Sequence, residues 1–394
     1  MHALHDLTDV IVLLVATVLI LPLSQRLKVS PVLGYLIVGA AIGPSGFAII
    51  NDLETASAIA EFGVIFLLFT IGLELSLRRL KVLRRYVFGL GALQVGLTAA
   101  AIGAITYGVT KDVSAAIVLG GSLALSSTAV VAQVLVERGE MQTRVGRMAF
   151  AILIFQDLAV IPLLTLIPVL GSDTAQMAEA GATALGLAAI ALVVIMVIGT
   201  RLLPPVFSLI ARDAGKMPEL FTALTLLVVI GIGALTASAG LSMALGAFLA
   251  GVMLSETEFR HQVEADILPF RGLLLALFFM TVGMSVDIGV IQTQAVLLLA
   301  LTFGLLAVKA PLIALSARAN GLPVGMSAHL GVLLAEGGEF GFVLLALAVT
   351  SGALDNEMAQ ILIIPIAITM ASTPLLATLG KRLSDWIDPP LAST

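Results

Sequence analysis

The sequence predicts an all-α polytopic membrane protein with about thirteen transmembrane helices. Of its 394 residues, 59% are hydrophobic and only 11% are charged, and the mean hydropathy is +1.13. A water-soluble protein of this length needs a more polar surface than this composition provides, whereas a lipid-facing surface does not. Long apolar runs and basic residues confined to alternate loops indicate the same fold class.

The apolar runs define the predicted spans, each near the roughly 20 residues that cross a bilayer core. In order they are 7–25, 31–50, 58–77, 86–108, 113–137, 146–170, 180–200, 218–238, 241–255, 268–286, 291–316, 325–350 and 356–380. The least defined boundary is the split at Ala239–Gly240. Residues 1–9 contain no Lys or Arg, so we expect the first span to be a permanent helix rather than a cleaved signal peptide.

The basic residues predict the orientation of the chain. One set of alternate loops holds 18 of the 20 Lys and Arg residues, the opposite set holds only Lys111, and Lys309 lies inside a span. Because cytoplasmic loops carry the excess of basic residues, this set is predicted to be cytoplasmic. The N-terminus is then outside, the C-terminus is inside, and the number of spans is odd.

The two halves of the chain resemble each other. Residues 33–39 match residues 245–251 at an offset of 212, and residues 66–73 match residues 277–284 at an offset of 211. The matched spans lie seven spans apart, so the copies run in opposite directions, as in the inverted-topology repeats of secondary transporters. Chance likeness between two Gly- and Leu-rich helices is the alternative, and two matches at nearly one offset argue against it.

The same offset pairs the 113–137 span with the 325–350 span, and both contain small or hydroxyl residues where a helix can break. These are Gly120, Gly121, Ser122, Ser126, Ser127 and Thr128 in the first, and Gly337, Gly338 and Gly341 in the second. Unwound backbone at membrane depth is tolerated only where it is buried in protein or lines a cavity. We therefore predict two crossed, discontinuous helices whose freed carbonyls and half-helix ends bind a cation.

Three residues from different spans are predicted to reach similar depth. Asp157 lies 10 residues after Arg147, which is about 15 Å along a helix and half of a core of about 30 Å. Lys309 and Thr128 lie at nearly the same count from the basic residues that end their spans. A charge at the bilayer centre costs at least ~2.5–3.5 kcal/mol, so Asp157 and Lys309 are functional candidates.

Asp157 is the primary candidate for ion binding. Its carboxylate can bind a bare alkali cation or a proton, but not both well, and this competition is the simplest form of antiport. The alternative is a fixed ion pair with Lys309 that only holds helices together. The two roles are compatible, because Lys309 can neutralise Asp157 whenever the cation is absent.

Neighbouring oxygen atoms complete the predicted site. Gln156 offers a neutral carbonyl oxygen, with a helix–helix hydrogen bond as the alternative. Ser126, Ser127 and Thr128 offer hydroxyl or carbonyl oxygens, with hydrogen bonds back to their own helix as the alternative.

The remaining acids in or near the spans have less defined roles. Glu339 is expected to contact the first broken helix or to stabilise a half-helix dipole. Glu336, three residues earlier, is interpreted as a charge in a cytoplasmic funnel. Glu74 lies four residues before Arg78, a spacing that favours an ordinary salt bridge.

Several stretches together resemble one known family over nearly the whole chain. They are residues 63–69, 72–75, 155–159 (Phe-Gln-Asp-Leu-Ala), 259–266, 272–275, 278–279, 282–287 and 337–340 (Gly-Gly-Glu-Phe). This pattern resembles the membrane part of Kef-type glutathione-gated potassium efflux systems, within the monovalent cation:proton antiporter superfamily.

The resemblance implies potassium/proton exchange across the bacterial inner membrane by an elevator-like homodimer. The dimerisation part would be about 1–80 and 218–288, the ion-binding core about 86–170 and 289–380, and the linking helix about 180–203. Sodium-selective relatives carry a double aspartate where this chain has Gln156 and Asp157. One fewer carboxylate favours potassium and electroneutral one-for-one exchange, with sodium/proton exchange as the alternative.

The chain also differs from the Kef pattern. No nucleotide-binding fingerprint follows Leu383, so either the chain is part of a longer protein or it lacks that control. If a cytosolic regulatory domain or subunit exists, the resemblance makes residues 261–266 a gating loop, with His261, Glu264 and Asp266 as its charged residues; a solvated turn is the alternative. Nucleotide and glutathione would act only through that domain, and no other cofactor is expected.

Two other classes of protein fit less well. A potassium channel needs a continuous pore, and the positive charge of Lys309 beside Asp157 would obstruct simple cation conduction. An enzyme is not expected, because Asp157 has no Ser–His or metal-ligand partner nearby in sequence and the chain has no cysteine. The expected partners are the lipid bilayer, a second copy, potassium (or sodium) and protons, and no nucleic acid.

Overall fold

The computed structural model describes residues 2–27, 31–50, 53–74, 84–171, 201, 205–209, 218–238, 243–255 and 257–389, and the secondary structure of these ranges is helical. In the first part of the chain the helices are α1 (His2–Leu27), α2 (Pro31–Ile42), α3 (Leu53–Glu74), α4 (Ala92–Thr110, preceded by a π-helical turn, Tyr86–Gly91), α5 (Val113–Ala124), α6 (Thr128–Glu137) and α7 (Arg144–Leu170). Those that follow are α8 (Pro218–Ser238), α9 (Met243–Ser255), α10 (Arg260–Met284), α11 (Ile288–Thr293), α12 (Ala295–Ala319), α13 (Val324–Leu333), α14 (Glu339–Thr350), α15 (Asn356–Ala371) and α16 (Thr373–Ile387).

The described helices make the chain a multi-pass membrane protein. Within the described ranges, six helical segments are long and apolar enough to cross a membrane, or seven if α15 and α16, which meet at a bend of 57°, form one span. Several shorter apolar helices accompany them. The predicted number of thirteen spans stays a prediction.

The chain divides into two compact units. One contains residues 1–81 and 172–285, and the other contains residues 82–171 and 286–394. We call them the first unit and the second unit. Of the described helices, α1–α3 and α8–α10 belong to the first unit, and α4–α7 and α11–α16 belong to the second.

Helices of the first unit pack closely through glycines that correspond in the internal repeat. A Cβ atom on Gly39 of α2 would overlap the carbonyl oxygen of Met280 on α10. A Cβ atom on Gly251 of α9 would overlap the carbonyl oxygen of Phe69 on α3. Gly39 and Gly251 differ by the offset of 212, and Phe69 and Met280 differ by the offset of 211.

A second pair of contacts follows the same rule. Gly72 of α3 lies against the carbonyl of Phe248 on α9, and Gly283 of α10 lies against the carbonyl of Leu36 on α2. Gly72 and Gly283 differ by 211, and Leu36 and Phe248 differ by 212, so the internal repeat relates the first contact to the second. The packing of the first unit therefore has the pseudo-two-fold symmetry that the sequence repeat predicts.

Two span boundaries each differ by eight residues from the sequence prediction. The 31–50 span is helical only as far as Ile42, because Pro44 has no N–H for the helix and the chain turns there, with Gly46 and Phe47 donating back to Gly43 and Ala41. At the other boundary α10 begins at Arg260, eight residues before the predicted start. A helix that extends beyond its apolar part with polar residues reads as a loop in a hydropathy profile.

The prediction that residues 261–266 form a loop is therefore wrong. His261, Glu264 and Asp266 lie in the first two turns of α10. The 180–203 linking helix and the split at Ala239–Gly240 lie outside the described residues.

Gly251→Ala tests the close helix packing of the first unit. The added methyl group meets backbone rather than a flexible side chain, so we expect it to destabilise the protein by about 1–3 kcal/mol. The matched control is Gly231→Ala on α8, where a Cβ meets no atom of the described residues within 4 Å and helix propensity improves. The measurement is the unfolding temperature in detergent. Equal unfolding temperatures for the two variants would contradict the close packing.

Candidate ion-binding site

The first of the two breaks separates α5 from α6. α5 ends at Ala124, residues 125–127 are non-helical, and α6 begins at Thr128. Leu125 and Ser127 have extended backbone conformations. Ser127 caps α6, because its Oγ accepts a hydrogen bond from the Val130 N–H at 3.2 Å. The predicted interruption of the 113–137 span is present.

The second break separates α13 from α14. α13 ends at Leu333, α14 begins at Glu339, and residues 334–338 are non-helical. Gly338 is extended, and the Gly337 N–H donates to Thr369 Oγ1 on α15 at 3.1 Å. This side-chain acceptor replaces a partner that a continuous helix would have provided.

The two breaks contact each other. A Cβ atom on Gly338 would lie 2.8 Å from the carbonyl carbon and oxygen of Ser126, so only glycine allows this approach. Ser126 Oγ donates to the Leu334 carbonyl at 2.8 Å. The Ser127 N–H donates to Glu336 Oε1 at 2.9 Å. Polar groups freed in one break thus find partners in the other.

Lys309 of α12 joins both breaks. Its side chain is fully buried. The Nζ atom donates to the carbonyl oxygens of Leu125 at 2.7 Å and Glu336 at 2.6 Å, and to Ser126 Oγ at 3.3 Å. The ammonium has three N–H donors, and these three acceptors match them.

The position of Lys309 also has an electrostatic reason. Leu125 follows the C-terminus of α5, and Glu336 lies just beyond the C-terminus of α13. Helix C-termini carry a partial negative charge, roughly half an elementary charge each. One buried ammonium therefore stabilises two half-helix ends at once.

Gln156 of α7 supports the first break from the other side. Its Oε1 accepts from the Ser126 N–H at 2.9 Å. Its Nε2 donates to Gln94 Oε1 on α4 at 2.9 Å. Gln94 in turn donates to Thr98 Oγ1 and to the Ala124 carbonyl, both at 3.2 Å. All these side chains are buried, and the two amides satisfy the backbone on either side of the break.

Asp157 follows Gln156 on α7 and lies beside the start of α6. Thr128 Oγ1 donates to Asp157 Oδ1 at 3.0 Å, and Asp157 is only 9% exposed. The N-terminus of α6 carries partial positive charge, which favours a carboxylate there. Glu339 is the first residue of α14, the half-helix after the second break, and it is also buried.

The structure brings together residues that the sequence singled out separately. Ser126, Ser127, Thr128, Gln156 and Asp157 surround the first break, and Lys309, Gly338 and Glu339 lie at or next to the second. The Lys309 ammonium donates its hydrogen bonds to the breaks. Neutralisation of Asp157 by Lys309 stays a prediction.

The interpretation of Glu336 as a funnel charge is wrong. A funnel residue faces solvent, whereas the Glu336 side chain is fully buried and accepts from Ser127. Sequence reasoning also missed Gln94 and Thr369, which bind the amide of Gln156 and the backbone of Gly337. A lone amide within an otherwise apolar span was the available signal for Gln94.

The residues of the predicted gating segment belong to the first unit. Asp266 accepts from Thr222 Oγ1 at 3.0 Å and from Gln262 Nε2 at 2.9 Å. His261 Nδ1 lies 3.8 Å from Glu264 Oε2, and the His261 side chain is 90% exposed. These contacts are local to the first unit, and a gating role stays a prediction.

The fold and the site define a class of membrane transporter, one in which two interrupted helices meet beside a buried carboxylate. The family model described as "sodium/hydrogen exchanger, transmembrane" matches residues 12–378. The chain belongs to this sodium/hydrogen exchanger family, which consists of transporters and not of enzymes.

Individual relatives narrow the comparison. The chain is 50% identical to K(+) efflux antiporter 2, chloroplastic, of Arabidopsis thaliana over 96% of its own length and 33% of that protein. It is 44% identical to the glutathione-regulated potassium-efflux system protein KefC of Klebsiella pneumoniae, over 96% of the chain and 61% of that protein. The chain thus spans from a third to about three fifths of these relatives.

One solved structure has the same fold. The sodium proton antiporter MjNhaP1 from Methanocaldococcus jannaschii superposes with a TM-score of 0.70, covering 99% of this chain and 100% of that one. At 15% sequence identity, the similarity shows the fold alone.

Gln156→Leu tests whether the amide holds the first break. The substitution removes the acceptor of the buried Ser126 N–H and a partner of Gln94, so we expect a loss of about 1–3 kcal/mol in the free energy of unfolding. The measurement is the unfolding temperature in detergent. Gln133→Leu is the matched control, since Gln133 is exposed and its amide donates to Glu137 of its own helix. A Gln156→Leu variant as stable as this control would contradict the role.

Proposed function

We propose that the chain exchanges potassium for protons, with Asp157 as the site that both ions share. The observation that carries the proposal is the position of Asp157. Its carboxylate is buried and lies beside the point where two interrupted helices meet, with Thr128 Oγ1 donating to it. A buried carboxylate of this kind inside a membrane protein is functional by default.

The chemistry of antiport follows from competition at one carboxylate. A dehydrated alkali cation needs oxygen ligands, and the Asp157 carboxylate and the Thr128 hydroxyl supply that type of ligand. A bound cation stabilises the ionised carboxylate, whereas a bound proton removes the charge that attracts the cation. Each ion therefore displaces the other when the site opens to one side of the membrane.

Potassium is the proposed cation for two reasons. The relatives at 43–50% identity carry names that specify potassium efflux. In addition, an amide, Gln156, precedes Asp157 where the resemblance expects a second carboxylate in sodium-selective proteins. A site with less charge suits the larger, more weakly hydrated cation. Sodium/proton exchange, which the names of the family and of MjNhaP1 suggest, is the alternative.

The division into units supports an elevator-like cycle. All residues of the ion site belong to the second unit, so this unit is proposed to carry the ion. The first unit, whose helices touch through backbone at glycines, is proposed to form the homodimer. The bacterial inner membrane, with the C-terminus in the cytoplasm, is the proposed location, and a cytosolic regulatory domain or subunit responsive to glutathione and nucleotide is a further proposal.

Potassium-driven proton movement in liposomes tests this function. The protein is reconstituted with a lumenal pH dye, a pH gradient is imposed, and potassium, sodium or choline is added. We expect potassium to dissipate the gradient and choline to have no effect. Asp157→Asn should abolish the response, because an amide cannot exchange a proton for a cation, whereas Asp385→Asn, an exposed matched control, should keep it.

Each other outcome has a definite meaning. A response to sodium alone would overturn the cation and keep the mechanism. Potassium flux without proton movement would favour a channel. Normal transport by Asp157→Asn would contradict the proposal that Asp157 is the shared site.

Thr128→Val tests the hydroxyl that faces Asp157. The two side chains have similar shapes, but valine cannot donate to Oδ1. Loss of a hydrogen bond to a charged group costs about 1.5–3 kcal/mol, so the ionised carboxylate is disfavoured and the proton competes better. We expect the KM for potassium at fixed pH to rise about ten-fold or more, with maximal rate retained. Thr165→Val on the exposed side of α7 is the control, and an unchanged KM in Thr128→Val would contradict the role.

A further inference from the structure

Glu336 is a buried acid that neither the family comparisons nor the exchange mechanism assign. Its side chain is fully buried at the second break. One carboxylate oxygen accepts the Ser127 N–H at 2.9 Å. The other oxygen, Oε2, is buried and has no hydrogen-bond partner among the described residues. A carboxylate held in this way needs a compensating charge, because burial without one is costly.

The compensating charge nearest at hand is the ammonium of Lys309. Nζ donates to the backbone carbonyl of Glu336 itself at 2.6 Å, so no more than one glutamate side chain separates the two charges. The carboxylate and the ammonium interact electrostatically. The three N–H donors of Lys309 are matched by the acceptors in the breaks, which fixes the ammonium at the breaks. It therefore stays beside Glu336.

Glu339 is the other acid at the second break. Glu339 also interacts electrostatically with Glu336, and it lies at the first position of α14, where the helix N-terminus provides partial positive charge. With Glu336 set against Lys309, this pair adds no net charge beside the proposed exchange site at Asp157.

We propose that Glu336 is the resident counter-charge of Lys309, so that this pair stays neutral while Asp157 exchanges its ion. This inference rests on the proposed function. Glu336 acts through Lys309 and the breaks and is thus a positioning residue. It also gives a structural reason for one-for-one exchange: a permanent neutral pair contributes no charge to the transport cycle.

A double-mutant cycle tests the proposal. In Glu336→Gln the side-chain oxygen can still accept the Ser127 N–H, but the Lys309 charge is uncompensated and repels the incoming cation. We expect the KM for potassium to rise about ten-fold or more. In Glu336→Gln combined with Lys309→Met both charges are absent, so the KM should return to within about three-fold of the parent.

The cycle separates charge from structure. Lys309→Met also removes three hydrogen bonds, but that loss is present in both the single and the double variant and cancels in the coupling. Glu357→Gln, an exposed matched change in the same unit, should leave the KM unchanged. The proposal is overturned if Glu336→Gln has the parental KM, or if the double variant shows the product of the two single effects.

A second readout keeps the test independent of transport. Unfolding temperatures of the parent and the three variants in detergent form the same cycle. We expect the drop in the double variant to be smaller than the sum of the single drops, and a drop equal to that sum would overturn the pairing. If the parent shows no potassium-driven exchange, the proposed function fails while this thermal cycle still decides the role of Glu336.

Discussion

The structure depends on one constraint: two helices are unwound inside a buried region, and every backbone group freed there needs a partner. Lys309 meets this demand for carbonyls on both breaks, and side chains from the neighbouring α7 and α15 meet it for N–H groups. An unsatisfied buried donor or acceptor costs about 1–3 kcal/mol. The two breaks are therefore stable only because polar side chains from separate helices converge on them, next to Asp157 on α7.

The internal repeat serves the two units in different ways. In the first unit its paired glycines allow helices to touch backbone to backbone, and the contacts follow the sequence offset. In the second unit the equivalent small residues permit two interruptions that meet at Gly338 and Ser126. Close packing gives a firm scaffold, whereas interruption places half-helix ends of both signs at the proposed ion site. One arrangement of small residues in each half of the chain thus provides both properties.

The sequence was sufficient for the large features and for residues that carry charge in apolar spans. Counting residues from the basic ends predicted that Asp157 and Thr128 reach similar depth, since helix rise per residue is constant, and the structure shows their side chains in contact. The same counting could not predict which way the Glu336 side chain points, because a non-helical segment has no fixed period. Nor could it predict the contact of Gln94 with Gln156, which depends on how separate helices pack. The start of α10 was missed because its first turns are polar, and hydropathy detects only the part of a helix that is apolar.

We propose that the charge at Asp157 is exchanged while Glu336 and Lys309 balance each other. The most direct test is to find the ion gradients at which net exchange stops. Proteoliposomes are held at a fixed potassium gradient, and the pH gradient that stops net proton movement is found at zero potential and at an imposed potential of about 100 mV, worth about 2.3 kcal/mol per charge moved. We expect the flux to stop when the potassium gradient and the proton gradient are equal, at either potential. A stopping point that shifts with potential would contradict the proposal, because a net charge would then cross the membrane in each cycle.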